Sequence, residues 1–255
     1  MHTLTVIQAR MGSTRLPGKV LADLAGQTML ARVVERVRRA RLAGRVVVAT
    51  STAAEDTPIC RQCDRLAVDH FRGDPTDVLD RFQQAAIAFQ AERIVRITSD
   101  CPLIDAEVFD RVVGAFLEHA VDYASNVVQR TYPRGLDTEV MTAEALATAW
   151  REAREPYQRA HVTPFLYQHP ARFRLLDVLA ERDLDNFGPG DYERLNQWRW
   201  TVDTAADLAF VAAVYQRLGQ DGVVFSWRDV CRLLRRHPHL ADLNRHVRHK
   251  GLVEG

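Results

Sequence analysis

The stretch Thr3–Lys19, TLTVIQARMGSTRLPGK, decides the fold of this chain. Its first residues include the alternating apolar run Leu4–Ile7, which is typical of a buried β-strand. The next twelve residues, Gln8–Lys19, concentrate cations, glycines and hydroxyl groups in one loop. A strand that leads directly into such a loop predicts a phosphate cradle, because ligands of open α/β sheets bind where the strands end.

The loop has the charge and the backbone freedom that a polyphosphate site needs. It contains three cations, Arg10, Arg15 and Lys19. Gly12 and Gly18 permit backbone angles that expose N–H groups and allow a ligand to approach closely. The spacing matches neither a Walker A motif, which needs glycine in place of Ser13, nor the dinucleotide motif GxGxxG. Taken alone, the loop fits a basic surface turn equally well.

The bulk composition describes a globular protein without an overall electrostatic attraction for anions. The chain has 255 residues, of which 47% are hydrophobic, and its net charge is +1. We therefore expect no nucleic-acid partner. The absence of a long apolar run or signal sequence predicts a cytoplasmic protein that does not insert into membranes. Cys60 and Cys63 form a CxxC pair without a second pair, so we expect them to pack in a helix.

Short runs rich in β-branched residues alternate with helical patterns through the first half of the chain. This alternation predicts an α/β fold with a mostly parallel, twisted sheet that has helices on both faces. The predicted elements are Leu4–Ile7, Met29–Val37, Val46–Ala49, Ile59–Leu66, Val78–Phe89, Ile94–Ile97 and Val108–Leu117. Asp74 and Asp105 are the predicted N-caps of the last two helices.

Beyond residue 120 the rhythm changes, and we predict an inserted α+β subdomain at about residues 122–178 within a single domain, 1–255. A loop or a short excursion is expected over Asp185–Gln197, and the sheet is expected to resume at Arg199–Val202. The other predicted elements are the strand Leu136–Val140, the helices Ala143–Ala153 and Tyr157–Tyr167, the antiparallel strand Phe173–Val178, the helix Thr204–Leu218 and an amphipathic helical segment, Arg228–Lys250.

Two carboxylates follow predicted strands and complete a candidate site. Asp100 comes after Ile94–Ile97, and Asp203 comes after Arg199–Val202. Mg²⁺ binds carboxylate oxygens together with phosphates and water, so these residues suit a metal–nucleotide complex. For Asp203, an N-cap of the following helix is the equal alternative, and for Asp105 the cap is the preferred interpretation.

Six motifs in order resemble those of cytidylyltransferases of the spore-coat polysaccharide type. This group lies within the family of acylneuraminate and 3-deoxy-manno-octulosonate cytidylyltransferases. The motifs are QARMGSTRLPGKVL, FRGDPTDVLDRF, RITSDCPLID, TYPRGLDTEV, RAHVTP and RWTVDTAADL, and the likeness covers about residues 3 to 236. The segment Asp185–Gln197 has no counterpart in that pattern.

The resemblance implies a Rossmann-like nucleotidyltransferase fold, CTP and Mg²⁺ as cosubstrate and cofactor, and a homodimer built partly from the inserted subdomain. Carried over by motif, the catalytic residues are Arg15, Lys19, Asp100 and Asp203, with both aspartates as metal ligands. The nucleotide-binding residues are Gln8, Ala9, Arg10, Met11, Gly12, Ser13, Arg15, Lys19, Arg81, Thr98 and Ser99. The acceptor-binding residues are Arg134, Asp137, Glu139, Arg159 and His161.

These expectations combine into CMP transfer from CTP to an acidic sugar or similar small acceptor, with release of pyrophosphate. One alternative is a metal-dependent glycosyltransferase that uses a nucleotide sugar. That class usually carries two aspartates spaced DxD, whereas Asp100 is followed by Cys101 and Pro102. A second alternative is a nucleotide-binding protein of the same fold that has no turnover.

Overall fold

One seven-stranded sheet organises the part of the chain that this computed structural model describes, which is residues 2–180, 187, 189–219, 224–249 and 251. The strands are β1 Thr3–Gln8, β2 Arg45–Ser51, β3 Asp69–Gly73, β4 Arg93–Thr98, β5 Tyr123–Ser125, β6 Glu139–Thr142 and β7 Leu175–Asp177. The helices are α1 Met29–Val37, α2 Thr57–Arg65, α3 Val78–Ala88, α4 Ala106–Glu118, α5 Ala143–Glu152, α6 Pro156–His161, α7 Pro164–Tyr167, α8 Pro189–Leu195, α9 Ala205–Leu218, α10 Trp227–Arg236 and α11 His239–Asp242. Short 3-10 helices lie at Lys19–Leu21 and Ala54–Asp56.

The strand order is β3-β2-β1-β4-β6-β5-β7. β1 pairs in parallel with both β2 and β4, β2 is parallel to β3, and only β6 runs antiparallel to its neighbours. This confirms the predicted α/β class with a mostly parallel sheet. The strands of segment 122–178 pair within the same sheet, so this segment extends the sheet beyond β4.

Helices cover both faces of the sheet, as predicted. On one face, the side chains of Ile7 and Val95 pack with apolar residues of α1, α2 and α4. On the other face, Leu4 and Ile94 pack with residues of α3, α5 and α7. A third apolar cluster joins Trp200 to α9, α10 and α11. Among the described residues, no helix is long and apolar enough to cross a membrane.

Several local predictions were correct and one cap was assigned wrongly. The Asp105 side chain caps α4 by accepting hydrogen bonds from the N–H groups of residues 107 and 108. The cap of α3 is Asp77, whereas Asp74 accepts bonds from the preceding turn. Two aspartates three residues apart offer the same chemistry, and the turn geometry selects the second. Cys60 and Cys63 are free thiols, and both are buried in α2, as predicted.

Two strand predictions were wrong. β7 is parallel to β5, not antiparallel, because alternation of side chains identifies the faces of a strand but not its direction. Arg199–Val202 forms no strand, only an isolated bridge between Arg134 and Arg199. Its apolar residues Trp200 and Val202 pack into the third cluster instead, and the N–H of Val202 is donated to the carbonyl of Asp100.

Three helical predictions needed correction. The predicted helix Tyr157–Tyr167 is broken into α6 and α7 at Val162, where φ is +73° and ψ is −55°. Such a γ-turn is rare for a β-branched residue, and Pro164 then starts α7. The predicted loop Asp185–Gln197 contains α8, although residues 181–186 and 188 lie outside the described part. The amphipathic C-terminal segment is helical over Trp227–Arg236 and again over His239–Asp242.

Candidate active site

The loop after β1 is held in place by backbone contacts. The Met11 N–H donates a hydrogen bond to Oδ1 of the buried Asp56 (2.6 Å), and the Gly18 N–H donates one to the Met11 carbonyl (3.0 Å). Asp56 also accepts a hydrogen bond from the Ser51 N–H (3.2 Å). The Met11 N–H is therefore already hydrogen-bonded within the protein and does not point to a ligand. Sequence reasoning missed Asp56, which no motif marked as different from its acidic neighbour at position 55.

Only one of the two loop glycines needs the conformational freedom predicted for both. Gly18 has a φ of +71°, in the left-handed region, immediately before the 3-10 helix that carries Lys19. Gly12 lies outside that region, and a Cβ added there would meet Glu55 at an ordinary 3.4 Å. Gly12 therefore does not depend on a left-handed conformation, while Gly18 sets the turn that directs Lys19 toward the end of the sheet.

Lys19, Asp100 and Asp203 meet at one point, where the loop faces the end of β4. The Lys19 Nζ donates hydrogen bonds to Asp100 Oδ2 (3.2 Å), to Asp203 Oδ1 (2.8 Å) and to the Val202 carbonyl (2.6 Å). Burial alone would lower the pKa of Lys19, but the two carboxylates outweigh it and raise that pKa. A single cation therefore bridges two carboxylates that are separated by about a hundred residues of sequence.

The two carboxylates are brought together by contacts between the Asp100 carbonyl and the two residues just before Asp203. The Asp100 carbonyl accepts the Val202 N–H (2.8 Å) and the Thr201 hydroxyl (3.2 Å). The Thr98 hydroxyl is donated to Asp100 Oδ1 (2.6 Å). The segment before Asp203 therefore lies across the end of β4. These contacts place Asp203 beside Asp100, which the predicted strand Arg199–Val202 was expected to do.

Asp203 is surrounded by three cations. Besides Lys19, the Arg15 Nη2 lies 2.9 Å and the Arg199 Nη2 lies 2.5 Å from Asp203 Oδ2. Burial would raise the pKa of Asp203, but Lys19, Arg199 and Arg15 lower it to about 2. Asp203 is therefore a permanent carboxylate. It is not the helix cap, because the Thr204 side chain caps α9.

Arg199 is a site residue that sequence reasoning missed. It is buried, and besides Asp203 it binds Asp207 through Nε (2.8 Å). Its Nη1 also contacts the His249 ring. The position of Arg199 four residues before Asp203 was visible in the motif RWTVD, but the partners of its guanidinium come from α9 and from the end of the described chain.

Most residues predicted to bind the nucleotide lie near the ends of β1 and β4. Gln8 Oε1 accepts a hydrogen bond from Arg96 (3.3 Å), and the Ser99 N–H is donated to the Gln8 carbonyl (3.0 Å). Ala9 is buried and Arg10 is exposed. The Ser13 Oγ accepts the N–H of residue 16 at 3.4 Å, within the loop.

Arg81 occupies a different environment from the rest of the predicted nucleotide-binding residues. Its side chain is buried, and its Nη2 is donated to the Asp74 carbonyl (2.7 Å) in the turn before α3. Burial lowers the pKa of Arg81, and the neighbouring Arg10 lowers it further. The structure thus places Arg81 where it supports this turn.

The five residues predicted to bind the acceptor differ in whether their side chains already have partners inside the protein. Asp137 is held by both terminal nitrogens of Arg130, at 2.7 and 2.9 Å. Glu139 is buried and accepts the Tyr123 hydroxyl (2.6 Å) as well as a charged contact from Arg96. These two carboxylates already have strong partners inside the protein.

The three basic residues of that set also differ in the contacts that their side chains make. Arg159 is bound to Asp77 (2.6 Å) and to two backbone carbonyls. His161 ends α6, next to the γ-turn at Val162. In contrast, the guanidinium of Arg134 makes no hydrogen bond or ion pair with any described residue, and its buried Nε has no acceptor there. Burial and the nearby Arg130 lower the pKa of Arg134, and the attraction of Asp137 only partly opposes them.

Comparisons with known proteins show which proteins this chain is similar to. The sequence model of a family described as cytidylyltransferase matches residues 4–216. The spore coat polysaccharide biosynthesis protein SpsF of Bacillus subtilis is 34% identical over 93% of this chain and 96% of its own length. The structure of a cytidylyltransferase from Leptospira borgpetersenii has 31% identity and a TM-score of 0.86, covering 98% of this chain and 100% of that one. A CMP:2-keto-3-deoxy-manno-octonic acid synthetase complexed with CTP has 19% identity and a TM-score of 0.63, covering 85% of this chain and 99% of that one, which shows the shared fold.

Proposed function

This chain belongs to the cytidylyltransferase family, and from that premise we propose that it transfers CMP from CTP to a small acidic acceptor in a Mg²⁺-dependent reaction. The observation that carries the proposal is the meeting of Lys19, Asp100 and Asp203 at the end of the sheet. The relatives named above supply the nucleotide and the acidic class of acceptor.

The two carboxylates fit a magnesium ion. Their Oδ atoms already converge on one cation, since both contact the Lys19 ammonium. Among the described residues, no cluster of three or more histidine, cysteine, aspartate or glutamate side chains could hold a metal alone. Mg²⁺ is typically held by one or two carboxylates together with substrate phosphates and water. Asp100 and Asp203 would therefore hold the ion, which supplies a positive charge shared between the protein and the phosphates.

In the proposed reaction, an oxygen of the acceptor attacks the α-phosphorus of CTP in line. The bond from that phosphorus to the bridging oxygen breaks, pyrophosphate leaves and one proton is released. The protein contributes mainly position and charge, as in phosphoryl transfer generally. Lys19 and Arg15 neutralise the negative charge that develops on the departing pyrophosphate. The loop fixed by Asp56 holds these two cations beside the end of β4.

Arg134 is the proposed anchor for the acidic group of the acceptor. Its guanidinium has no partner among the described residues, and arginine binds carboxylates with two parallel hydrogen bonds. It adjoins the catalytic carboxylates because the Arg134 carbonyl accepts the Trp200 N–H (2.6 Å), three residues before Asp203. An acceptor held there would reach the nucleotide bound beside Asp203.

A pyrophosphate-release screen tests this function directly. The protein is incubated with Mg²⁺, each of the four ribonucleoside triphosphates and a panel of acidic sugars, with Asp100→Asn as the inactive control. We expect release with CTP and at least one acidic sugar. Binding of CTP that raises the melting temperature without pyrophosphate release on any acceptor would overturn the proposal in favour of a non-catalytic protein.

We also propose that the chain forms a homodimer through segment 122–178. β7 is the terminal strand of the sheet, and Val128 and Leu179 expose apolar side chains in and beside this segment. Light scattering of the purified protein distinguishes one chain of 28.9 kDa from two. A monomer at micromolar concentration would contradict the proposal.

A further inference from the structure

The C-terminal part of the chain, which lies beyond the family match ending at residue 216, reaches the site. Asn244 follows α11 and is buried. Its Nδ2 is donated to the Arg199 carbonyl (2.8 Å) and to Asp207 Oδ1 (2.9 Å). Nearby, the Arg248 carbonyl accepts a hydrogen bond from Arg15 (3.4 Å). This segment therefore contacts both arginines that bind Asp203.

Asp207 connects Asn244 to Asp203. It is fully buried in the first turn of α9, and its Oδ1 is shared between Arg199 Nε (2.8 Å) and Asn244 Nδ2 (2.9 Å). Its Oδ2 accepts the Asp203 N–H (3.0 Å). Both oxygens of Asp207 are therefore occupied, and together they link Arg199, Asn244 and the Asp203 backbone.

Arg199 completes the connection. Its Nε points to Asp207 while its Nη2 is donated to Asp203 Oδ2, so the orientation of the guanidinium determines where that oxygen of Asp203 lies. The other oxygen, Oδ1, contacts Lys19. A rotation of Arg199 would therefore turn the Asp203 carboxylate away from the point that it shares with Asp100.

We propose that Asn244 is a positioning residue, which acts through Asp207 and Arg199 to orient Asp203 as a metal ligand. The inference rests on the proposed function, because it assigns Asp203 to the magnesium site. It gives the segment after residue 216 a role in catalysis. Partners that orient a metal ligand through hydrogen bonds are typically worth about 10- to 100-fold in metal affinity or activity.

The test replaces Asn244 by aspartate, which keeps its shape but turns the Nδ2 donor into an oxygen facing Asp207 and the Arg199 carbonyl. We expect the Mg²⁺ concentration for half-maximal pyrophosphate release to rise about tenfold, the lower end of that range. The same rise is expected when Mg²⁺ is titrated with a non-hydrolysable CTP analogue and binding is followed by the melting temperature. Asn244→Leu is the second variant, used if the aspartate does not fold.

Asp242→Asn is the matched control. Asp242 lies in the same segment, is exposed and pairs with Arg245 (3.2 Å), so its Mg²⁺ dependence should equal that of the unaltered protein. A lower melting temperature of the free Asn244 variants with unchanged Mg²⁺ dependence would show that Asn244 only anchors the segment. If the unaltered protein shows neither turnover nor a Mg²⁺-dependent shift, the proposed function fails first and this inference falls with it.

Discussion

Replacing Lys19 by methionine tests the central contact of the site through stability, independently of any substrate. The folded protein lowers the pKa of Asp203 from 3.8 to about 2. Since each pKa unit is worth about 1.4 kcal/mol, this carboxylate contributes about 2 kcal/mol to folding at neutral pH. Lys19 is the largest of the lowering influences, ahead of Arg199 and Arg15, so the substitution should remove the largest single part of that contribution, on the order of 1 kcal/mol.

The sign of the pH dependence follows from the direction of the shift. A carboxyl group whose pKa is lowered on folding stabilises the protein above its unfolded pKa of 3.8, and this stability is lost as the pH falls toward about 2. In unaltered protein, the Asp203 contribution is therefore present at pH 7 and fades below about pH 4. Lys19→Met should show a shallower loss over this window, because its Asp203 starts with a higher folded pKa.

The assay is urea unfolding at pH 7 and at several values between pH 4 and pH 2, for both proteins. The difference between the two pH dependences reports the contacts that Lys19 makes with Asp203 and Asp100, because acidic groups that Lys19 does not touch titrate alike in both proteins. The expected difference is about 1 kcal/mol. Arg45→Met is the control, because Arg45 pairs with Asp69 on the exposed side of β2 and β3. Identical pH dependences of the Lys19→Met and unaltered proteins would refute the contact.

Three further predictions address the metal, the acceptor and the backbone. Asp100→Asn should lower turnover about a hundredfold or more at saturating Mg²⁺, because one electrostatic contact to the transition state is worth about 3 kcal/mol. Steady-state pyrophosphate release measures this turnover, and a near-normal rate would show that Asp100 is not a metal ligand. Arg134→Lys should raise the acceptor KM about tenfold, since the paired hydrogen bonds of arginine are lost, while the CTP KM stays unchanged; a change confined to CTP would reassign this residue. Gly135→Ala should destabilise the protein by about 1 to 3 kcal/mol in urea unfolding, because φ is +114° and the added Cβ would lie 2.7 Å from the Trp200 carbonyl carbon. Gly26→Ala, with φ +81° and no atom within 4 Å, separates the backbone strain from the clash.

The early strands and the candidate site residues could be predicted because their signals are local. The run Leu4–Ile7 is buried in β1, and the loop behind it places Lys19 beside the end of β4. Strand ends of a parallel sheet meet at one edge, which is why Asp100 could be selected from its position alone. Motif resemblance added Asp203, although the strand predicted to carry it does not exist.

The direction of β7 and the end of segment Tyr157–Tyr167 could not be predicted, since both depend on tertiary contacts. Alternation in residues 173–178 fits either direction of pairing, and the choice is made by the helices α5 to α7, which return the chain parallel to β5. The break at Val162 places a β-branched residue at φ +73°. Local preference opposes that conformation, so only the surrounding packing maintains it.

The acceptor set shows why residue types at matching positions are not enough. Asp137 and Glu139 carry the charge expected of a hydroxyl-binding site, yet the protein uses them to hold Arg130 and Arg96. An ionic side chain remains available to a ligand only where the fold brings no opposite charge beside it, and for Glu139 that opposite charge, Arg96, lies 43 residues away in sequence. Arg134 stays available because the neighbouring Asp137 is already bound by both nitrogens of Arg130. The carboxylate of an acidic acceptor would therefore give the Arg134 guanidinium the hydrogen-bonded partner that it lacks among the described residues.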